Sequence, residues 1–229
     1  MHFYISCLVI SICLAQTVSG ATFTWDLFSS CGCSTVSSVT INAKIVGGEV
    51  AGSRVWGWMV SLQFGGSHRC GASLISADSA LTAAHCVDDL LQNPSSLSIV
   101  AGTNSLPGTG NPLVQTRTII SISIHPNYNS GTNQNDIAVL RFSALTVSSA
   151  TTLSLVCLPT SDQDPFVDGD DLIATGWGLT SEGGSTSSSL RQVTLKAISP
   201  SNSACQSLIG GNANIMICAG VLAGGKGID

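Results

Sequence analysis

Leu81-Thr82-Ala83-Ala84-His85-Cys86 sets an imidazole beside a cysteine. Alone this says little, because a lone histidine is most often a structural residue with its hydrogen bonds satisfied. A second stretch, Asn135-Asp136-Ile137-Ala138-Val139-Leu140, puts an aspartate at the mouth of an apolar strand. Such an aspartate usually caps a turn. If it is buried, its charge needs a partner, and an imidazole can supply one. A carboxylate accepting from one ring nitrogen fixes the tautomer and leaves the other nitrogen as a base. His85 and Asp136 are therefore the candidate catalytic pair.

Around them the chain reads as β-rich. Short apolar runs recur at 58–64, 98–101, 118–124, 137–142, 172–175 and 190–198. Gly-, Ser-, Asn- and Pro-rich separators lie between them, at Gly65-Gly66, 106–112 and 181–189. No apolar periodicity of a long helix is sustained. Many short strands with such turns make a sandwich or a barrel, and periodicity alone does not choose. The tract 181–189 sits between two runs and is expected to be a surface hairpin loop.

The 229 residues suffice for one large domain or two small ones, and 44% are hydrophobic, enough for a core. Charged residues are only 9%, so the low-hydrophobicity, high-charge pattern of disorder is absent. A formal net charge of -5 without a basic cluster argues against a nucleic-acid partner and against a membrane-surface patch. Residues 3–14 are nearly continuously apolar, the length of a signal-peptide core and too short for a bilayer span. Small residues at Val18-Ser19-Gly20 suit cleavage after Gly20, giving a signal peptide over 1–20 and a secreted, extracellular product. Cys7 and Cys13 fall inside it. Cys31, Cys33, Cys70, Cys86, Cys157, Cys205 and Cys218 remain, an odd set expected to pair in an oxidising compartment with one left over. No CxxC spacing suggests zinc.

At the two opening stretches the chain resembles the chymotrypsin/trypsin family of serine proteases. Four segments match in family order: Ile45-Val46-Gly47-Gly48, Thr82-Ala83-Ala84-His85-Cys86, Asp136-Ile137-Ala138-Val139-Leu140 and Thr175-Gly176-Trp177-Gly178. The resemblance covers residues 45–229.

It implies an all-β fold of two six-stranded antiparallel β-barrels with the active site between them, the second barrel incomplete here. It divides the chain into a signal peptide at 1–20, a propeptide at 21–44 and a peptidase domain at 45–229. His85 would take the proton from a serine hydroxyl, and Asp136 would orient His85. It also implies bridges Cys70–Cys86 and Cys205–Cys218, with Cys157 tethering the propeptide through Cys31 or Cys33. Leu172 stands where some members carry cysteine. Cleavage between Lys44 and Ile45 would release a new N-terminus at Ile45. The family's Gly-Asp-Ser-Gly-Gly motif does not occur in residues 1–229. Residues 218–226 resemble the run that leads into it, so the expectation is a chain stopped short of its nucleophile and inactive as it stands. Asp229 lies near the place of the primary-pocket aspartate that pairs with Lys or Arg of the substrate, although that alignment needs two extra residues in the loop.

The expected partners are protein or peptide substrates, an activating protease and protein protease inhibitors, with no nucleic acid and no membrane. No cofactor or metal is expected. No Asp or Glu occurs over 90–135, where some relatives bind calcium. Asn93 is followed by Pro94, so no N-glycosylation acceptor is expected. The competing expectation is a non-catalytic serine-protease homologue acting as a secreted adaptor.

Overall fold

The computed structural model describes residues 48–220 except 109–110, 149–151, 160–166, 181–182, 200 and 210–215, together with 17–18, 20–24, 31–32, 34, 36 and 38–41. Among these the strands are β1 (Thr17–Val18), β2 (Gly20–Thr24), β3 (Ser38–Ile41), β4 (Glu49–Val50), β5 (Met59–Phe64), β6 (Ser67–Ser76), β7 (Ser79–Thr82), β8 (Leu97–Ala101), β9 (Gln115–Ile124), β10 (Ala138–Phe142), β11 (Asp171–Gly176), β12 (Arg191–Ile198) and β13 (Cys218–Gly220). One short helix, α1, spans Ser203–Ile209. No helix among the described residues is long and apolar enough to cross a membrane.

Six strands close into a barrel in the order β10-β7-β6-β5-β8-β9. Closure follows from alternation. In β10, Ala138, Leu140 and Phe142 are buried while Arg141 is exposed, so one face of the ribbon turns inward. Val60, Leu62, Leu74, Ile99, Ile119 and Leu140 fill the interior and are almost wholly shielded from solvent. The β5–β6 hairpin turns at Gly65 and Gly66, with φ of +57° and +80°. Two successive left-handed residues match the twist of the flanking strands, and glycine adopts them without steric cost.

Each apolar run of the sequence lies on a strand, and the barrel resolves the choice between sandwich and barrel. Two strands of the barrel were not expected. Neither β6 nor β7 contains an extended apolar run, and β6 opens with Ser67-His68-Arg69.

The second half is a four-stranded sheet of β11, β12 and β13 with β4 paired to β12, and among the described residues it does not close. Leu172 is buried against Leu195 and Ala197, so apolar packing occupies the place of the absent bridge. An antiparallel bridge between Leu179 and Thr186 makes the expected hairpin over the 181–189 tract.

The halves are joined through buried and half-buried polar groups. Asn104 accepts from Leu190 N at 2.6 Å and from Trp177 Nε1 at 3.1 Å through its carbonyl. Trp56 Nε1 donates to Gln192 Oε1 at 2.7 Å, and Gln192 Nε2 donates to Glu49 at 2.9 Å. Gly48, with φ of +52°, lies under β12. A Cβ there would sit 2.4 Å from the Gln192 carbonyl oxygen, so this position of the Ile45-Val46-Gly47-Gly48 motif needs glycine.

Candidate active site

Strand register brings His85 and Asp136 together. Thr82, the last residue of β7, pairs with Ala138, the first of β10. His85 lies just after the end of one strand, and Asp136 just before the start of its antiparallel neighbour. The turn Ala84–Cys86 that carries His85 is a single 3-10 turn. Ala83 and Ala84 are fully buried beneath it, and larger side chains would lift it off the barrel rim. The Asp136 side is braced by the preceding loop. Asn135 Nδ2 donates to the Asn127 carbonyl at 2.8 Å, and Asn129 Oδ1 accepts from Gly131 N at 2.9 Å. Asn133 and Asn135 have φ of +52° and +54°, which asparagine tolerates better than most residues.

The aspartate holds the histidine at two points. Oδ2 lies 2.6 Å from His85 Nδ1, and Oδ1 accepts from the His85 backbone N–H at 2.8 Å. The Asp136 side chain is 10% exposed and that of His85 is 34% exposed. The carboxylate is thus sheltered while the ring stays open to a substrate. The Asp136 hydrogen bond raises the His85 pKa above its ordinary value of 6.5, outweighing partial burial. Burial pushes the Asp136 carboxyl upward, but the bonds from His85 ring and backbone prevail and hold it below the usual carboxylate value. A carboxylate at Nδ1 places the proton on that nitrogen. Nε2 lies 3.5 Å from Cys86 Sγ. That sulfur has no proton to give, so the contact does not consume the Nε2 lone pair.

Cys70 and Cys86, a pair the family resemblance implies, are bonded and tie the His85 turn to β6. Other groups that brace His85 and Asp136 were not singled out in the sequence. Arg69 Nε donates to the Cys86 carbonyl at 2.7 Å, and its other arm pairs with Asp89 at 2.7 Å. Tyr128 donates to Asp88 at 3.3 Å, and burial, with the charges of Asp88 and Asp136, pushes its hydroxyl up to about 12. The adjacency of Arg69 to a bridging cysteine was the one available signal. Cys70, His85 and Cys86 together have the look of a metal-ligand cluster. Their sulfurs are spent in the disulfide and offer no thiolate.

A second serine–histidine contact, Ser61 Oγ to His68 Nδ1 at 2.8 Å, lies on β5 and β6. Ser61 is wholly buried, so it cannot meet a peptide substrate. Burial lowers the His68 pKa, which leaves its ring neutral against Trp177 at 5.6 Å. A cavity of about 510 Å³ lined by Arg54, Trp56, Asn104, Leu113 and Thr152 includes neither His85 nor Asp136 and is not part of this site.

Cys31 is bonded to Cys157, and Cys205 to Cys218. Lys44, Ile45, Cys33 and Asp229 lie outside the described residues, as does the signal-like stretch 3–14.

The trypsin family model matches residues 45–229. Transmembrane protease serine 11G of Rattus norvegicus is 38% identical over 185 residues, covering 80% of this chain and 42% of that protein. Its counterpart in Mus musculus is 37% identical over 186 residues, with the same coverage of 80% and 42%. The chain thus spans less than half the length of these relatives. Human heparin binding protein has a similar solved structure, with a TM-score of 0.64 and 27% identity, covering 78% of this chain and 73% of that one. With the closed six-stranded barrel, the histidine and aspartate at its rim and a family match over the whole of 45–229, this chain belongs to the trypsin family of serine proteases.

Proposed function

We propose that this chain is the protease unit of a secreted serine endopeptidase made as a zymogen. The observation that carries the reading is the doubly held pair of His85 and Asp136, buried on the carboxylate side and open on the imidazole side. A serine hydroxyl brought to Nε2 would give its proton to that nitrogen as its oxygen bonds to the scissile carbonyl carbon. Collapse of the adduct would break the C–N bond, with the proton passing from His85 to the leaving amine. Water would then repeat the cycle on the acyl-enzyme. Asp136 holds the tautomer and stabilises the imidazolium that forms. Residues 1–229 contain no Gly-Asp-Ser-Gly-Gly segment, and on this reading they are inactive by themselves.

Activation would come from a partner protease cutting after Lys44. Asp229 is the candidate for an Arg/Lys-selecting pocket residue, where a carboxylate would form charge-assisted bonds to the substrate side chain. Secretion is supported by the shortness of the apolar stretch 3–14 and by three disulfides, which persist in oxidising compartments. The heparin-binding name of the structural neighbour does not transfer on charge grounds. A polyanion needs a basic surface, and this sequence has 8 Lys and Arg against 13 Asp and Glu.

The test uses the product of the complete coding sequence. After cleavage and recovery of an Ile-Val-Gly-Gly terminus, it should hydrolyse arginyl and lysyl esters and be silenced by a serine-directed acylating inhibitor. A correctly cut product with no turnover on any ester would favour the non-catalytic adaptor instead. Preference for Phe or Leu esters would remove Asp229 from the pocket while leaving the pair in place.

A further inference from the structure

Lysine and arginine are missing from every connection between consecutive strands from β5 to β13. The stretches 65–66, 77–78, 83–96, 102–114, 125–137, 143–170, 177–190 and 199–217 carry neither. Both are surface residue types that loops ordinarily accept. Within 48–220 the sequence has six of them, and five stand on strands: Arg69 on β6, Arg117 on β9, Arg141 on β10, and Arg191 and Lys196 on β12. Each of the five also has its cation engaged within the chain. Arg69 pairs with Asp89 at 2.7 Å, Arg141 with Asp78 at 3.5 Å and Lys196 with Asp171 at 2.7 Å. Arg117 Nε donates to the Ala144 carbonyl at 3.3 Å, and Arg191 to the Gly48 carbonyl at 2.7 Å.

The sixth, Arg54, lies in the turn before β5 and is exposed. Its bond to Val55 is shielded from the far side. Val55 and Trp56, the two residues that follow, are 4% and 5% exposed. The Arg54 carbonyl accepts from Ser34 Oγ at 3.1 Å. Arg54 itself has φ of +68°, far from the extended backbone in which a protease reads its substrate. Proteases nick folded chains chiefly at exposed loop tips. Cutting at any of these six residues would require a ladder to unzip or core residues to leave the interior, and such openings are rare.

We propose that residues 48–220 are closed to proteolysis after Lys and Arg by placement. The loops offer no such bond, and the bonds that exist are locked in paired strands or, at Arg54, against the core. The activated enzyme is therefore spared by its own copies and by an activating protease of that specificity. The self-sparing rests on the Arg/Lys selectivity read from Asp229 above, whereas resistance to another protease of that specificity rests on the fold alone.

The test incubates the folded product of the complete coding sequence with trypsin and maps the cuts within 48–220 by N-terminal sequencing and mass. The expected result is no cut at the six residues under conditions in which a heat-unfolded sample is cut at all of them. Ser185→Arg places one arginine at an exposed position of the 181–189 hairpin. It should be nicked there at least about 100-fold faster than any native Lys or Arg bond of 48–220. Rapid cutting of the folded wild type at any of the six residues overturns the proposal. So does a Ser185→Arg protein as resistant as wild type, since general compactness and not placement would then protect the chain. A second arm holds the activated enzyme alone at high concentration. Wild type should stay whole across 48–220, and Ser185→Arg should nick itself at the new arginine. If trypsin nicks Ser185→Arg and the activated enzyme, active on other esters, does not, the selectivity reading and the self-sparing fall together while the resistance stands.

Discussion

The two halves of the molecule solve the same packing problem differently. In the first, every strand of the barrel has two hydrogen-bonded neighbours, and its inward residues belong to one large core. In the second, four strands form an open sheet. Ile173, Trp177 and Leu190 join the large core, and two small apolar clusters lie apart from it, one around Leu172, Leu195 and Ala197, the other at the Cys205–Cys218 bridge. Thr194 on β12 has a buried hydroxyl without a hydrogen-bond partner among the described residues. Closure makes the difference. A strand with two neighbours fixes the ends of both, and this is how β7 and β10 hold His85 and Asp136 in register. The base half of the chemistry is thus preorganised by the register of two barrel strands.

The largest effect that would break this contrast is catalytic. Asp136→Asn in the activated enzyme should cut kcat/KM by about 10⁴-fold by favouring the wrong tautomer. Thermal unfolding should show the same cooperative transition, because the barrel strands are untouched. Near-normal turnover would mean that the barrel rim is not the site. Core truncations come next. Leu140→Ala, at 0% exposure in β10, should cost about 4 kcal/mol, whereas Leu195→Ala, at 6% in β12, should cost about 2 kcal/mol. Urea unfolding measures both, and equal costs would erase the distinction between closed and open halves. The smallest change sharpens it. Thr194→Val keeps the shape and removes an unsatisfied hydroxyl, so it should raise stability by about 1 kcal/mol. A loss instead would show that the hydroxyl has a partner in solution.

The pair also sets a pH dependence. The His85 pKa is raised in the fold, so its contribution to stability is full below 6.5 and is lost as pH rises through the folded value. The Asp136 pKa is lowered, so its contribution is present above 3.8 and is lost as pH falls through the folded value. Wild type minus Asp136→Asn should therefore show its largest stability difference between these limits. A difference that is flat from acid to neutral pH would deny the coupling.

Much of this was legible beforehand because the decisive signals are local. Thr82-Ala83-Ala84-His85-Cys86 carries the histidine motif in one short stretch, and Asp136 stands at the mouth of an apolar run that forms β10. Strand β6 was hidden because its buried residues, Ala72, Ser73 and Leu74, make no extended apolar run. Ser73, which donates to the Met59 sulfur, sits where an apolar residue would have announced a strand. Arg69 and Tyr128 act across tertiary contacts that no spacing reveals. Cys31 and Cys33 were equivalent by sequence, and backbone pairing such as Gly32 to Leu155 presents Cys31 to Cys157. The burial of Phe23 and Ile41 in the large core was equally invisible, since isolated apolar residues in a leader carry no period.

The central claim is that Asp136 holds His85 as a base with its proton on Nδ1, before any nucleophile arrives. Nitrogen-15 and proton NMR of the His85 ring tests it most directly, with Asp136→Asn as the reference. The account predicts a protonated Nδ1 and an unprotonated Nε2 at neutral pH, a ring pKa above 6.5, and a fall in that pKa when Asp136 loses its charge. A ring carrying its proton on Nε2, or one titrating at or below 6.5 and indifferent to Asp136, would contradict it.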